Sequence, residues 1–261
     1  MSSNKNNNSR QAASNGVKAV IAAAGMGTRL HPLTLNTPKC LLDINGRAII
    51  DYYLDTLSRL GFEKKDIAVV VGFCKDKIKE HLRGGDYTFI DNDEYASTNN
   101  MYSFYLAKNF IGNNDVLYIE SDLFFHPDIL KNCLEKNDNE NYLVVDTKKW
   151  TDESMRVKIK NDCVVYASKQ ISDEECGGDW IGIAKMKSAM LPALYLMIEK
   201  ALARGERNIY MEIAAFNPLV AETEHKFHVS PTGGMPWIEI DFEHELRKAR
   251  EEIYPAIFGE K

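Results

Sequence analysis

Val17-Lys18-Ala19-Val20-Ile21-Ala22-Ala23-Ala24-Gly25-Met26-Gly27-Thr28-Arg29-Leu30-His31-Pro32-Leu33-Thr34, followed by Thr37-Pro38-Lys39, is the stretch on which the fold turns. An apolar run closing in small residues suits a fully buried strand over 17–23. The glycines and prolines of 25–39 make a loop. Such a loop sits at the carboxyl end of a parallel sheet, where open α/β folds bind their ligands. Gly25 and Gly27 let backbone N–H groups approach phosphate oxygens without an intervening Cβ. Arg29 and Lys39 add two cations, and Pro32 and Pro38 limit the loop's freedom and so the entropy lost on closing over a ligand. Two glycines alone would equally suit a surface turn. A dinucleotide fingerprint fails at Leu30, where its third glycine belongs, and no G-K-[ST] is present for a P-loop.

Outward from the loop, Ile49, Ile50, Tyr53, Leu54, Leu57 and Leu60 follow helical spacing over 48–60, closed by Gly61. Strands at 67–71, 87–90, 116–120 and 142–146 alternate with helices at 75–82, 101–108 and 128–134. That rhythm predicts an α/β fold, a doubly wound, mainly parallel, Rossmann-like mixed sheet. After Asp146 the rhythm changes. A hairpin is expected at 155–160 and 163–168 across Asn161-Asp162, then a strand at 181–186 and helices at 188–204 and 210–219, the second assigned to packing. Strands at 227–230 and 237–240 and an amphipathic helix at 242–253 finish the chain. One domain is expected over 17–254, with a core at 17–146, a small β-rich insert at 147–236, and a last strand and helix at 237–254. Residues 1–16 are polar and are expected to be a disordered leader without the features of an export signal.

The 261 residues suit one large α/β domain. A formal charge of −6 opposes a phosphate-tracking surface, so no nucleic-acid partner is expected. No run reaches the roughly 18–20 apolar residues that span a bilayer, so no membrane partner is expected either. Five scattered cysteines without a C-x-x-C pair read as reduced thiols of a cytoplasmic protein. His225 and His228 have no evident third ligand and are given no metal role. Oligomeric state is not legible.

Two acidic pairs stand far apart in sequence. Glu120-Ser121-Asp122 ends one expected strand, and Glu239-Ile240-Asp241 ends another. Most single acids are solvated surface groups. Acids at strand ends beside a phosphate loop are a different case, and Asp122 and Asp241, with Glu239 as a third, make a candidate Mg²⁺ site, since that ion takes carboxylates, phosphate oxygens and water.

The run Ala23-Ala24-Gly25-Met26-Gly27-Thr28-Arg29-Leu30-x-Pro32-Leu33-Thr34-x-x-x-Pro38-Lys39 resembles the signature of the nucleotidyltransferases that make nucleotide-sugars and CDP-alcohols. The resemblance implies that Ala23, Ala24, Gly25, Met26, Gly27 and Thr28 wrap the nucleotide phosphates. It also implies that Arg29 and Lys39 stabilise charge at the α-phosphorus and on leaving pyrophosphate, with Mg²⁺ as cofactor. In Tyr95-Ala96-Ser97-Thr98-Asn99-Asn100-Met101-Tyr102-Ser103, the side chains of Asn99, Asn100 and Ser103 can read a pyrimidine edge. Ser97, Thr98 or Asn99 equally suits a helix cap. Asn-Asn-x-x-Ser, in place of Gly-Thr-Ala, resembles the bacterial phosphocholine and 2-aminoethylphosphonate cytidylyltransferases, as does the Ala-Ala-Gly opening.

The resemblance spans 17–254 and implies a CTP-dependent enzyme that transfers CMP to a small phosphonate or phosphate monoester and releases pyrophosphate. Acceptors of that kind end in a cation, which aromatic faces and acids hold. Tyr102, Trp150, Trp180 and Trp237 are the aromatic candidates, Trp180 foremost and with Asp179 beside it, while Lys158 or Lys185 would touch the acceptor's phosphonate. Two other readings stay open: a sugar-1-phosphate nucleotidyltransferase with the same core chemistry, and a non-catalytic nucleotide-sensing subunit.

Overall fold

The computed structural model describes residues 16–137 and 139–259; the expected leader, apart from Gly16, lies outside the described residues. Thirteen strands are found among them. In chain order they are β1 (Val17–Ala23), β2 (Asp43–Ile44), β3 (Arg47–Ala48), β4 (Ile67–Val71), β5 (Thr88–Asp91), β6 (Asp115–Glu120), β7 (Leu123–Phe125), β8 (Asn141–Asp146), β9 (Arg156–Lys160), β10 (Cys163–Ala167), β11 (Gly178–Met186), β12 (Phe227–Pro231) and β13 (Trp237–Glu239).

Nine of these form one mixed sheet in the order β5-β4-β1-β6-β11-β8-β12-β10-β9. β5, β4, β1 and β6 run parallel. From β1 the chain first moves out to β4 and β5, then returns to place β6 on β1's other side. Strand order therefore reverses between β1 and β6, and a crevice opens beyond their carboxyl ends. Past β6 the parallel arrangement gives way. β11 is antiparallel to both β6 and β8, and β10 is antiparallel to β9 and β12, leaving β8–β12 as the one parallel pair on that side among the described residues. β9, β10 and β11 follow one another without a helical crossover, and strands so joined pair antiparallel.

Alternation along β1 builds the two cores. Ala19, Ile21 and Ala23 face Ile49, Ile50, Tyr53 and Leu57 of helix Ile49–Arg59, while Val20 faces Met101 and Phe104 of helix Asn100–Leu106. The second core also takes Leu194 and Ile198 of helix Leu191–Ala203. Each valine, leucine and isoleucine among these contributes about 1.5–3 kcal/mol by burial, and each alanine less. No helix among the described residues is long and apolar enough to cross a membrane.

Three departures from the sequence expectation bear on the site. The segment expected as one helix at 210–219 is a π-turn, Glu212–Phe216, leading into helix Asn217–Glu222. A second π-turn, Ala249–Ile253, interrupts the last helical segment and leads into Tyr254–Phe258. Pro218 and Pro255 each stand two residues after a π-turn; a proline offers no N–H and crowds the carbonyl four residues back, which widens the preceding turn. The third departure concerns β13, expected over 237–240, which ends at Glu239 and forms a ribbon of its own outside the main sheet. It pairs antiparallel with β7, placing Glu239 opposite Leu123. The expected hairpin forms as read, with Asn161 and Asp162 both left-handed at φ 50 and 59, the conformation a two-residue turn requires.

Candidate active site

β1 delivers Ala22, Ala23, Ala24 and Gly25 to the wall of a cleft at the crevice. The chain then reverses at Gly27, whose φ of 60 precedes the short turn Thr28–Leu30. Thr34 Oγ1 donates to the Gly27 carbonyl at 2.6 Å, which ties the loop's return to its start. A Cβ at residue 27 would lie 3.4–3.6 Å from the side chains of Thr34 and Lys39. This fold-back sets Arg29 and Lys39 at the cleft; Met26, Gly27 and Thr28 form the turn beside it.

Two strand ends bring the acids. The Ile240 N–H donates to the Asp122 carbonyl at 2.8 Å, extending the β7–β13 pairing by one step. Glu245 Oε2 accepts from the backbone N–H groups of Asp241 and Phe242 at 2.6 and 2.9 Å, fixing the turn after β13. Asp122, Glu239 and Asp241 thereby converge, each offering an oxygen within 4.8 Å of the others. Lys39 Nζ donates to Asp122 Oδ2 at 3.1 Å and to Asp241 Oδ1 at 2.6 Å. Arg29 reaches Asp241 Oδ2 at 2.5 Å and Glu153 Oε2 at 3.2 Å, and its guanidinium lies 5.3 Å from the Phe242 ring centre.

The electrostatics follow from this crowding. Burial works against the Lys39 ammonium, yet Asp122 and Asp241 outweigh it and hold its pKa above the ordinary lysine value. Burial also pushes Asp241 upward, but Lys39 and Arg29 outweigh that and hold it below the usual carboxylate range. Glu239 is pushed well up, by burial first and then by the charges of Asp122 and Asp241. Among the described residues, Asp122 Oδ1 is buried with no hydrogen-bond partner. An all-oxygen donor set with an orphaned carboxylate oxygen fits a hard divalent cation, so these three acids suit Mg²⁺ on chemical grounds.

The opposite wall comes from the segment before helix Asn100–Leu106. Asn92, Tyr95, Thr98, Asn99, Asn100 and Ser103 all line the cleft. Asn92 is buried and its amide donates to Thr98 Oγ1 at 3.1 Å and Ser103 Oγ at 3.2 Å. Asn99 caps the helix through its side-chain oxygen. Asn100 corrects the expectation of a base-reading residue. Its Nδ2 donates to Glu120 Oε1 at 2.8 Å, and its Oδ1 accepts from the Met211 N–H at 2.8 Å, so both ends of the amide are already engaged.

The expected acceptor residues divide. Trp180 lines the cleft but is only 3% exposed, with Nε1 donating to the Ile183 carbonyl and its ring edge-on to Phe216. Asp179, one step along β11, points to the other side of the strand and accepts from Ser154 Oγ at 2.5 Å. Burial pushes its carboxyl up to about 7, against the Ser154 hydrogen bond and with help from Asp146. Lys158 sits on β9 and pairs with Glu175 at 2.6 Å, away from the cleft lining. Tyr102 also lies off the lining, its hydroxyl on Glu94 and its ring beneath the Arg207 guanidinium. Lys185 is buried and donates to the carbonyls of Leu134 and Lys136. Trp150 and Trp237 donate to Asp173 and Asp146. Apart from Trp180, these residues do not line the cleft, because strand alternation and helix rotation turn them from it. In their place, Glu153, Met155, Lys169, Gly182, Tyr210 and Glu212 line it. Glu212 carries a faint sequence signal, a lone acid in Tyr210-Met211-Glu212-Ile213-Ala214-Ala215-Phe216.

A family model for the MobA-like NTP transferase domain matches residues 19–209. The chain belongs to that family. It is accordingly an enzyme of the nucleotidyltransferase class. It is 30% identical over 236 residues to a choline-phosphate cytidylyltransferase of Streptococcus pneumoniae, covering 90% of this chain and 97% of the relative. The solved structure of the CTP:phosphocholine cytidylyltransferase from that organism matches with a TM-score of 0.72 at 28% identity, over 91% of this chain and 99% of the other. A CTP:phosphoglutamine cytidylyltransferase of Campylobacter jejuni is 28% identical over 254 residues, covering 88% of this chain and 98% of the relative. A 2-aminoethylphosphonate cytidylyltransferase of Lancefieldella rimae is 36% identical over 108 residues, covering 40% of this chain and 42% of the relative.

Proposed function

We propose that this nucleotidyltransferase takes CTP, transfers CMP to a small phosphate or phosphonate monoester, and releases pyrophosphate, with Mg²⁺ as cofactor. The observation that carries the proposal is the Lys39 ammonium bridging Asp122 and Asp241 beneath the glycine turn. Cytidylyl transfer is the activity named for the relatives of similar length. In this scheme 17–146 is the nucleotide side of a doubly wound core. The β-rich 147–236 is the acceptor side, contributing Glu153, Met155, Lys169, Trp180, Tyr210 and Glu212 to the cleft.

An acceptor phosphate or phosphonate oxygen is anionic near neutral pH, so no general base is needed. The obstacle is repulsion between that oxygen and the triphosphate, and the protein answers it by positioning and by placed charge. The loop's backbone and Arg29 orient the phosphates. The acceptor oxygen attacks the α-phosphorus in line; the bond to the bridging oxygen breaks, and the electron pair leaves with pyrophosphate. Lys39 stabilises the charge that develops on the leaving group. Asp122, Asp241 and Glu239 would hold the divalent ion, which neutralises charge between the α-phosphate and the acceptor when bound.

A panel of the four NTPs crossed with phosphocholine, 2-aminoethylphosphonate and hexose-1-phosphates, read by pyrophosphate release, tests the proposal. Release only with CTP and a non-sugar acceptor supports it. Release with hexose-1-phosphates would favour a sugar nucleotidyltransferase, and nucleotide binding without release a sensing subunit.

A further inference from the structure

Two glutamates in the cleft play no part in the transfer chemistry described above. Glu120 ends β6, two residues before Asp122, and Glu212 begins the π-turn; both line the cleft. The Asn100 amide stands between them, donating to Glu120 Oε1 at 2.8 Å and lying 3.4 Å from both Glu212 oxygens. Tyr118 donates to the same Glu120 oxygen at 3.3 Å. Glu120 Oε2 receives no donor, and neither carboxylate makes an ion pair among the described residues. A carboxylate offers about four acceptor positions, so the pair retains capacity that the protein leaves unused. Gly182, at φ 83, faces Glu120, and a Cβ there would lie 3.1 Å from Glu120 Cβ, Cγ and Oε2.

The aromatic rings nearby make a poor cage for a methylated cation. Tyr118 is buried edge-on to Phe104, Trp180 is edge-on to Phe216, and Lys169 lies 5.4 Å from the Tyr210 ring centre. Open carboxylate oxygens call instead for N–H donors, which a quaternary ammonium lacks. Glu120, Glu212, Asp122 and Asp241 all line the one cleft, so a short acceptor can place its phosphorus at the acids that suit the ion and its amine at the glutamate pair.

Resting on the transfer reading above, we infer that the acceptor carries a primary ammonium at the end remote from its phosphorus, and that Glu120 and Glu212, spaced by Asn100, receive its N–H groups. The substrate class is then a short ω-amino phosphonate or phosphate ester.

The test compares kcat/KM with CTP for 2-aminoethylphosphonate, phosphoethanolamine, phosphocholine and ethylphosphonate. One or both primary amines should exceed phosphocholine and ethylphosphonate by about 10-fold or more, as expected for lost hydrogen bonds to a charged group; which of the two leads tells phosphonate from phosphate ester. Glu120→Gln and Glu212→Gln keep the side-chain shape and should each lower the preference for the amine over ethylphosphonate by a similar factor. Stepwise N-methylation of 2-aminoethylphosphonate, tested on the unaltered protein, should raise KM at each methyl, and this arm is independent of any variant's folding. Phosphocholine or ethylphosphonate equalling the primary amines, or an unchanged preference in both Gln variants, overturns the inference alone. No pyrophosphate release with any acceptor overturns the transfer reading and this inference with it.

Discussion

Lys39 Nζ lies 2.6 Å from Asp241 Oδ1 and 3.1 Å from Asp122 Oδ2, although 202 and 83 residues of chain separate the partners. Such a bridge requires the glycine turn after β1, the short β7–β13 ribbon and the Glu245 clamp on the turn beyond β13 to be in place together. Three acids with oxygens within 4.8 Å repel one another unless positive charge sits among them. Lys39 supplies one such charge, and a divalent ion would supply another.

Removing that lysine should therefore damage the transfer step. Lys39→Ala is expected to lower kcat and kcat/KM together by about 10²–10⁴, since a preorganised charge that acts on the transition state is lost. Steady-state pyrophosphate release measures this, and a change confined to KM would place Lys39 in ground-state binding instead.

Chelation of divalent ions should abolish release, and added Mg²⁺ should restore it. Asp122→Asn and Asp241→Asn should also weaken binding of Mn²⁺, used as a spectroscopic substitute and followed by electron paramagnetic resonance. Mn²⁺ titrations indistinguishable from those of the unaltered protein would place the ion elsewhere.

Asp179 should give the fold a pH dependence separate from the chemistry. Its carboxyl is pushed from 3.8 up to about 7 by burial, so the folded chain favours the protonated form. Stability from this group is fully present below about pH 4 and is lost as pH rises toward 7, by at most roughly 4 kcal/mol. Asp179→Asn should cancel that loss. Glu120 and Glu212 are also pushed up by burial and lose stability over the same range, so melting temperature should fall between pH 5 and pH 8 in both proteins but by less in the variant; an equal drop in both would count against the assignment.

Gly182→Ala and Gly84→Ala separate conformation from contact. Both glycines have φ near 80, so each alanine carries the left-handed penalty of about 1–2 kcal/mol. Residue 84 faces open space, whereas an added Cβ at 182 meets Glu120. Urea denaturation should therefore show the larger loss for Gly182→Ala, and equal losses would mean that Glu120 moves aside freely.

How much of this was legible beforehand depends on what each residue's role rests on. Arg29, Lys39, Asp122 and Asp241 stand at strand ends or in a glycine loop, and position along the chain alone marks them; the structure brings them together. Glu212 lay hidden because its approach to Asn100 depends on a π-turn ahead of Pro218, which helical periodicity does not reveal. β7 is three residues long and too short for any alternation to show, so the partner of β13 went unread. Lys158, Tyr102 and Asp179 lie off the cleft lining, and Asn100 bonds to Glu120 within it, for one reason. Residue type tells what a side chain can bond, whereas the packing of its element decides what it faces.

The most direct test of the account is the identity of the product, followed by ³¹P nuclear magnetic resonance in a mixture of CTP, Mg²⁺ and 2-aminoethylphosphonate. Pyrophosphate should appear together with two mutually coupled resonances, one from the cytidylyl phosphorus and one from the phosphonate now joined to it through oxygen. CTP that stays intact, or that yields free CMP or CDP while the phosphonate signal is unchanged, would contradict it.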